Sequence, residues 1–290
     1  MESIWQWGID VIVFIQQIRS PFFDLFFFSV SFFGSHVFYL MLLPFFYWCV
    51  DKKYASKIFI LFLISSWSNT VMKDLIHHPR PFNLNEAVKI GIAGGYGIPS
   101  GHAQGSLVVG VSLMLWFRNR FFSYFIAAAV LLVALSRIYL GVHFPTDILG
   151  GWILGTVILI LLWPYFDRVE KALSGMNPFA LSAAAVVLPA ILSLIFALKW
   201  PVMSMGALSG FLNGQIFEKK YSEFQQIKNL KAGILRYISG MMVLGLIFSA
   251  GYMVSVLKVP FHFLIMFILA WISGIWISAG APRLFKKLGI

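Results

Sequence analysis

Thiol, acid and charge are all scarce in this sequence. A single cysteine, Cys49, stands in 290 residues. That excludes an internal disulfide and any cysteine-built metal cluster, and leaves packing in an apolar stretch as its expected role. Charged residues make up 11% of the chain, where an ordinary soluble domain carries about 25%. Acidic residues number 11 against 22 Lys and Arg, a formal net charge of +11. An excess of that sign would suit nucleic acid if the basic residues shared one face. They fall instead in short stretches between apolar runs, which is the pattern of membrane topology. No nucleic-acid partner is expected.

What is abundant is apolar: 60% of the residues are hydrophobic and 17% aromatic. Runs such as Phe22–Val50 and Leu149–Tyr165 hold few or no charges over a membrane thickness. The expectation is an all-α polytopic membrane protein with about nine transmembrane helices, over 22–49, 57–75, 102–117, 121–140, 148–166, 179–198, 201–217, 234–257 and 260–281. The seventh is short and rich in Gly, Ser and Asn, which suits burial among neighbouring helices. Residues 1–21 carry Glu2 and Asp10, lack a basic leading region and show no small-residue cleavage site, so a signal peptide is not expected. Trp5, Trp7, Ile12, Phe14, Ile15 and Ile18 among polar residues predict an amphipathic helix in the membrane interface.

The basic residues assign the sides. Lys52, Lys53, Lys57, Arg118, Arg120, Arg168, Lys171, Lys219, Lys220, Lys228, Lys231, Arg236, Arg283, Lys286 and Lys287 fall on one side, and Arg19, Lys73, Arg80, Lys89, Arg137, Lys199 and Lys258 on the other. Fifteen against seven puts the first group in the cytoplasm, with the N-terminus outside and the C-terminus inside. Removing the seventh span would erase the asymmetry. The cytoplasmic run "EKKYSEFQQIKNLKAGILR", with Tyr221, Phe224, Ile227 and Leu230 near helical spacing, reads as an interfacial helix over anionic headgroups.

Three of the outer basic residues belong to a polar cluster. "KDLIHHPRP" (73–81) leaves the second span, "PSGH" (99–102) enters the third, and "SRIYLGVHFPTD" (136–147) joins the fourth to the fifth. Ionisable groups at membrane depth are costly, so they are functional candidates by default. Lys73, Arg80 and Arg137 supply three positive charges, and arginine's planar fork matches phosphate oxygens in pairs. Ser100 and Gly101 put a hydroxyl and backbone N–H groups at a helix start, a ready anion site. An aspartate such as Asp147 that holds an imidazole such as His143 leaves the other ring nitrogen free as nucleophile or base. His102 is a second imidazole, available as general acid. Anion cradle, oriented nucleophile and separate proton donor together describe phosphoryl transfer. A Gly-rich loop over 82–98 separates the first two segments and is placed to cover such a site.

Lys73-x6-Arg80-Pro81, Pro99-Ser100-Gly101-His102 and Ser136-Arg137-x5-His143-x3-Asp147 together resemble the three-part signature of the type 2 phosphatidic acid phosphatase family, which also includes vanadium haloperoxidases and soluble bacterial acid phosphatases. All three parts are present, in order and with the family's internal spacings, over roughly residues 15–166. The resemblance implies that His143 attacks phosphorus to form a phosphohistidine, oriented by Asp147. His102 protonates the leaving oxygen and then activates water. Lys73, Arg80, Ser100, Gly101 and Arg137 hold the phosphate oxygens. It implies no metal and no cofactor, in keeping with the shortage of carboxylates, since Asp147 stands alone between Glu86 and Asp167. The implied organisation is an interfacial helix (1–21), a phosphatase core (22–166) and a four-helix extension (167–290) without a motif.

Each residue also has a plainer reading. Asp147 can cap the fifth span, and lone basic residues anchor at interfaces. Three at motif spacing argue otherwise. His77 and His78 lie outside the signature and read as loop or headgroup contacts. His36 and His262 read as hydrogen-bonding residues within the bundle, and Asp74 as balancing Lys73. Gln104 is left open between substrate and a neighbouring helix.

The leading expectation is therefore a membrane lipid phosphatase acting on phosphatidic acid, phosphatidylglycerol phosphate, a sphingoid phosphate or a polyprenyl diphosphate. Its site would be extracytoplasmic, in a bacterial plasma membrane, with a possible homodimer through the C-terminal helices. A lipid phosphotransferase using the same phosphohistidine is the second expectation. An anion transporter is third, because the cluster lies near one face and no inverted repeat is visible.

Overall fold

In a computed structural model the described residues are 2–195, 199–221, 229–257 and 259–290, and they form helices with no strand among them. The run Tyr221–Leu230 and the loop residue Lys258 fall wholly or largely outside them. Two compact units divide the chain: Met1–Leu40 with Ser68–Trp163, and Met41–Trp67 with Pro164–Ile290.

In the first unit the helices are α1 (Glu2–Gln16), α2 (Pro21–Phe32), α3 (His36–Cys49, continuing into the second unit), α4 (Lys52–Ile76, whose last turns from Ser68 belong here), α5 (Pro81–Leu84), α6 (Gly101–Phe117), α7 (Arg120–Tyr139) and α8 (Pro145–Leu162). Local chemistry sets their ends. Pro21, Pro81 and Pro145 each stand in the first turn of a helix, where the missing N–H costs nothing. Ser20 Oγ accepts from Phe23 N, and Asn119 Oδ1 from Phe122 N. Arg118, at φ 49°, ends α6 in the left-handed region.

The uninterrupted apolar pattern over 22–49 predicts one span, whereas the chain breaks between α2 and α3 at residues 33–35. Gly34 explains the break. A Cβ there would overlap Val133 and crowd the His102 side chain, so the turn at Gly34 lies tight against α6 and α7. Six helices of the described residues have the length and apolarity to cross a membrane, or seven if α1 and α2, bent by 119°, are one broken span. The expected nine is therefore not matched. Helix α3 has 14 residues and α6 has 17, each too short to qualify alone.

One face of α1 is buried. Ile9 and Ile12 pack with Val88 and Phe144, while Trp7, Val13 and Phe14 are exposed. Gln16 Nε2 donates to the carbonyls of Val88 and Tyr139, both at 2.8 Å, which ties the end of α1 to the chain beside the site.

The second unit holds α9 (Phe166–Leu173), α10 (Pro178–Ile195), α11 (Lys199–Tyr221), α12 (Leu230–Val256), α13 (His262–Ile275) and α14 (Ala281–Leu288), with one π turn at Trp276–Gly280. Helix α11, the Gly- and Ser-rich expected seventh span, packs closely on α13. A Cβ on Gly210 would overlap the Trp271 carbonyl, and one on Gly274 the carbonyl of Ala207. Tyr47 OH and Trp48 Nε1 donate to the carbonyls of Ser278 and Ile277 in the π turn, at 3.2 and 2.8 Å. Cys49 Sγ makes a 3.5 Å contact with the Gly233 carbonyl.

Candidate active site

All eight residues singled out for chemistry lie in the first unit. Helix α7 ends at Tyr139, Gly141 turns the chain at φ 66°, and α8 begins at Pro145 with Asp147 at its third position. A side chain at residue 141 would overlap the Val88 carbonyl, so this turn is open to glycine alone. The turn sets His143 and Asp147 on one edge of the helix start. Asp147 Oδ2 lies 3.1 Å from His143 Nδ1 and accepts from Phe144 N at 3.0 Å. Asp147 is thus a helix cap and an imidazole partner at once. Both side chains are shut away from solvent, Asp147 at 0% exposure and His143 at 2%.

A carboxylate only accepts, so His143 carries its proton on Nδ1 and a lone pair on Nε2. Burial pushes the His143 imidazole down to about 3; the hydrogen bond it donates to Asp147 opposes this, and the charges of Arg80 and Lys73 add to it. The ring is consequently neutral at physiological pH. Arg80 Nη1 stands 3.3 Å from Nε2, marking the side from which an anion would approach.

The cations are held by backbone carbonyls. Arg80 precedes Pro81 at the start of α5 and is fixed there by Asn83, whose Oδ1 accepts from Arg80 N at 2.9 Å. Its guanidinium donates to Gly94 O (2.7 Å), Gly95 O (2.9 Å) and Val142 O (2.8 Å). Lys73 Nζ donates to Tyr96 O and Gly97 O, at 2.7 and 2.8 Å. The loop expected to cover the site therefore does so by turning four successive carbonyls onto its two cations. Arg137 Nη1 donates to Ser31 Oγ. Buried Arg137 Nε and Ser100 Oγ have no hydrogen-bond partner among the described residues. Ser100 N donates to the Asp147 carbonyl at 2.9 Å, which ties the start of α6 to that of α8. His143 N and Val142 N both donate to the Arg137 carbonyl. Gly101 faces Asn69, whose Oδ1 would lie 3.1 Å from an added Cβ. His102 follows it and sits beside Gly34.

Sequence reasoning missed several supporting residues. Gln104, left open between substrate and helix, accepts from Asn69 Nδ2 at 2.7 Å and is fully buried, so it joins α6 to α4. Ser31 lay inside a seemingly uniform apolar run. His78, which the sequence reads as a loop or headgroup contact, has its Nδ1 3.2 Å from Asp147 Oδ1, and its Nε2 accepts from Trp5 Nε1. Only the neighbouring His77 behaves as a loop residue, ending α4 at φ 53° with its ring edge-on to Tyr96.

Residues 54–171 match the PAP2 superfamily, and residues 202–290 match the transmembrane extension of PAP2 superfamily phosphatases. The chain belongs to the PAP2 superfamily. Within that superfamily it is similar to mouse sphingosine-1-phosphate phosphatase 2, at 29% identity over 166 residues, covering 55% of this chain and 46% of the relative. It is also 29% identical to the lipid A 4'-phosphatase of Bacteroides thetaiotaomicron over 161 residues, covering 50% of this chain and 71% of that one. The aligned part of the first relatives is less than half their length. The crystal structure of the Bacillus subtilis PAP2-type phosphatidylglycerolphosphate phosphatase shares the fold, with a TM-score of 0.51 and 22% identity over 59% of this chain and 90% of that one. The PAP2 match includes all three motif segments, and the extension match covers most of the C-terminal stretch that carried no motif.

Proposed function

We propose that this PAP2 protein is a membrane phosphatase that removes phosphate from a lipid phosphomonoester or diphosphate through a phosphohistidine on His143. The observation that carries the reading is the His143 imidazole: neutral, buried, held through Nδ1 by Asp147, with Nε2 turned to the guanidinium of Arg80. The Nε2 lone pair attacks phosphorus, and the bond from phosphorus to the lipid oxygen breaks. That oxygen leaves with a proton from His102. His102 then takes a proton from water, whose oxygen attacks phosphorus and breaks the P–N bond, restoring the ring and freeing inorganic phosphate. Arg80, Arg137, Lys73, Ser100 and the backbone at Gly101 stabilise the charge gathering on the equatorial oxygens. No step needs a metal.

Substrate entry has a structural cost in this scheme. The donors that phosphate needs on Arg80 and Lys73 are bonded to Gly94, Gly95, Tyr96 and Gly97, so phosphate oxygens must take the place of those carbonyls. Relatives named for sphingosine-1-phosphate and for lipid A favour a phosphomonoester on an amphiphile whose tails stay in the bilayer. Counted over the nine spans expected from the sequence, the basic residues favour an extracytoplasmic site with the C-terminus in the cytoplasm.

The test is phosphate release by detergent-purified protein, with EDTA present, from phosphatidic acid, phosphatidylglycerol phosphate, sphingosine-1-phosphate and a polyprenyl diphosphate. Release by wild type that is lost in His143→Ala is the expected result. Label passing to an added alcohol instead of water would move the assignment to phosphotransfer.

A further inference from the structure

The proposed reaction leaves two site residues without a task, His78 and Trp5. His78 stands two positions before Arg80 and outside every phosphate-binding position, but its side chain is only 18% exposed. Its Nε2 accepts a hydrogen bond from the Trp5 indole at 3.0 Å. An indole N–H can only donate, so Nε2 must present a lone pair and the proton of the neutral ring sits on Nδ1. That Nδ1 is 3.2 Å from Asp147 Oδ1, close enough for an ion pair but without the alignment of a hydrogen bond. The other carboxylate oxygen, Oδ2, already serves His143 Nδ1 and Phe144 N. Asp147 therefore stands between two imidazoles, one on each oxygen.

The surroundings fix this arrangement. The Phe144 ring meets His78 edge-on at 5.7 Å. Gly97 closes the junction: a Cβ there would lie 2.9 Å from Asp147 Oδ2 and 3.2 Å from His78 Nδ1. Helix α1 brings Trp5, and its own placement is secured by Ile9, Ile12 and Gln16.

We propose that His78, held by Trp5 as its Nδ1–H tautomer, is a positioning residue that steadies Asp147 while His143 bonds to phosphorus. The inference rests on the phosphatase reading above. When Nε2 of His143 forms its bond to phosphorus, the ring becomes cationic and its alignment depends on the carboxylate staying in place. Donors on Oδ2 alone leave Asp147 free to turn about Cβ–Cγ. A donor on Oδ1 removes that freedom, and the short movement that aligns His78 Nδ1 completes it. Trp5 matters because, without its N–H, the His78 proton is free to move to Nε2, where it faces away from Asp147.

The test uses the full chain in detergent and compares His78→Phe, His78→Asn and Trp5→Phe with wild type on the best lipid found. His78→Phe lowers kcat about tenfold with KM changed by less than about twofold. Asn, whose amide keeps a donor close to the Nδ1 position, recovers most of the loss. Trp5→Phe lowers kcat about threefold alone and adds nothing to His78→Phe, because the two act in series. A rise in KM with kcat unchanged, or failure of Asn to do better than Phe, overturns the assignment. Nitrogen-15 spectra of histidine-labelled protein supply a readout that needs no turnover. Wild-type His78 should show a protonated Nδ1 and an unprotonated Nε2, and Trp5→Phe a mixture of tautomers. A protonated Nε2 in wild type overturns the proposal as well. Absence of phosphate release by wild type from every lipid would count against the phosphatase reading alone, and the spectra would still decide the role of His78.

Discussion

Glycine does different work at the helix seam of the second unit and in the loop over the candidate site of the first. On α11 and α13, Gly210 and Gly274 let helix backbones approach until a Cβ would overlap a carbonyl of the facing helix. In the loop over the site, Gly94 and Gly95 have open space where a side chain would go, and their value lies in carbonyls aimed at Arg80. Charge is divided the same way. The first unit gathers Arg80, Arg137, His143 and Asp147, all nearly fully buried, around one point of the chain, while the second ties its charged helix ends together in pairs such as Lys52 with Glu218 and Lys57 with Asp167. Burying like charges together is expensive unless an anion completes the site. The buried cations of the first unit fit the proposed anion site, while the ion pairs of the second neutralise one another.

The largest expected effect belongs to the site. His143→Ala should lower phosphate release by about a thousandfold or more while leaving thermal stability within a few degrees. Equal losses of stability and activity would break the division between the units. Arg80→Lys comes next, about a hundredfold down in kcat/KM, since an ammonium replaces the fork that reaches the loop carbonyls and the nucleophile together. Gly210→Ala should do the reverse: it costs about 1–3 kcal/mol of stability by overpacking, and kcat of the folded fraction stays at the wild-type value. Circular-dichroism melts beside initial rates separate the two kinds of effect. Smallest of all is Gly94→Ala, within about 0.5 kcal/mol of wild type, because no atom lies near the added methyl. A large effect there would mean that the loop must reshape more deeply than an exchange of carbonyls for phosphate requires.

Acid adds a further prediction. An ordinary histidine titrates near 6.5, whereas burial holds His143 near 3. Falling pH therefore should not protonate His143 between pH 7 and 5. Nitrogen-15 shifts of the His143 ring, assigned by their loss in His143→Asn, should stay those of a neutral imidazole over that range. A titration midpoint near 6.5 would show the ring to be wetter than its burial implies.

Much of this was legible in the sequence because it is written at short range. His143 and Asp147 are four residues apart, Ser100 and Gly101 open a helix, and Pro81 and Pro145 announce helix starts. Membrane helices followed from apolar runs alone. Their number did not, because a break such as that at Gly34 depends on how closely Val133 and His102 approach, and hydropathy is blind to approach. His78 and Ser31 were hidden for a related reason. Their partners, Trp5 with Asp147 and Arg137, lie about 70 to 106 residues away, and nothing local distinguishes them from loop and lipid-facing residues. Asp147 offers a different lesson: helix cap and imidazole partner read as alternatives in the sequence, yet one carboxylate oxygen accepts from Phe144 N and lies against His143 Nδ1.

Covalent phosphorylation of His143, the step on which the proposed reaction turns, can be read by a rapid acid-free quench of wild type and His143→Ala during turnover of a lipid labelled in its phosphate. The expected result is a protein-bound label that survives alkali, is released by acid and is absent from His143→Ala. A label that persists in His143→Ala, or one that survives acid, would contradict it.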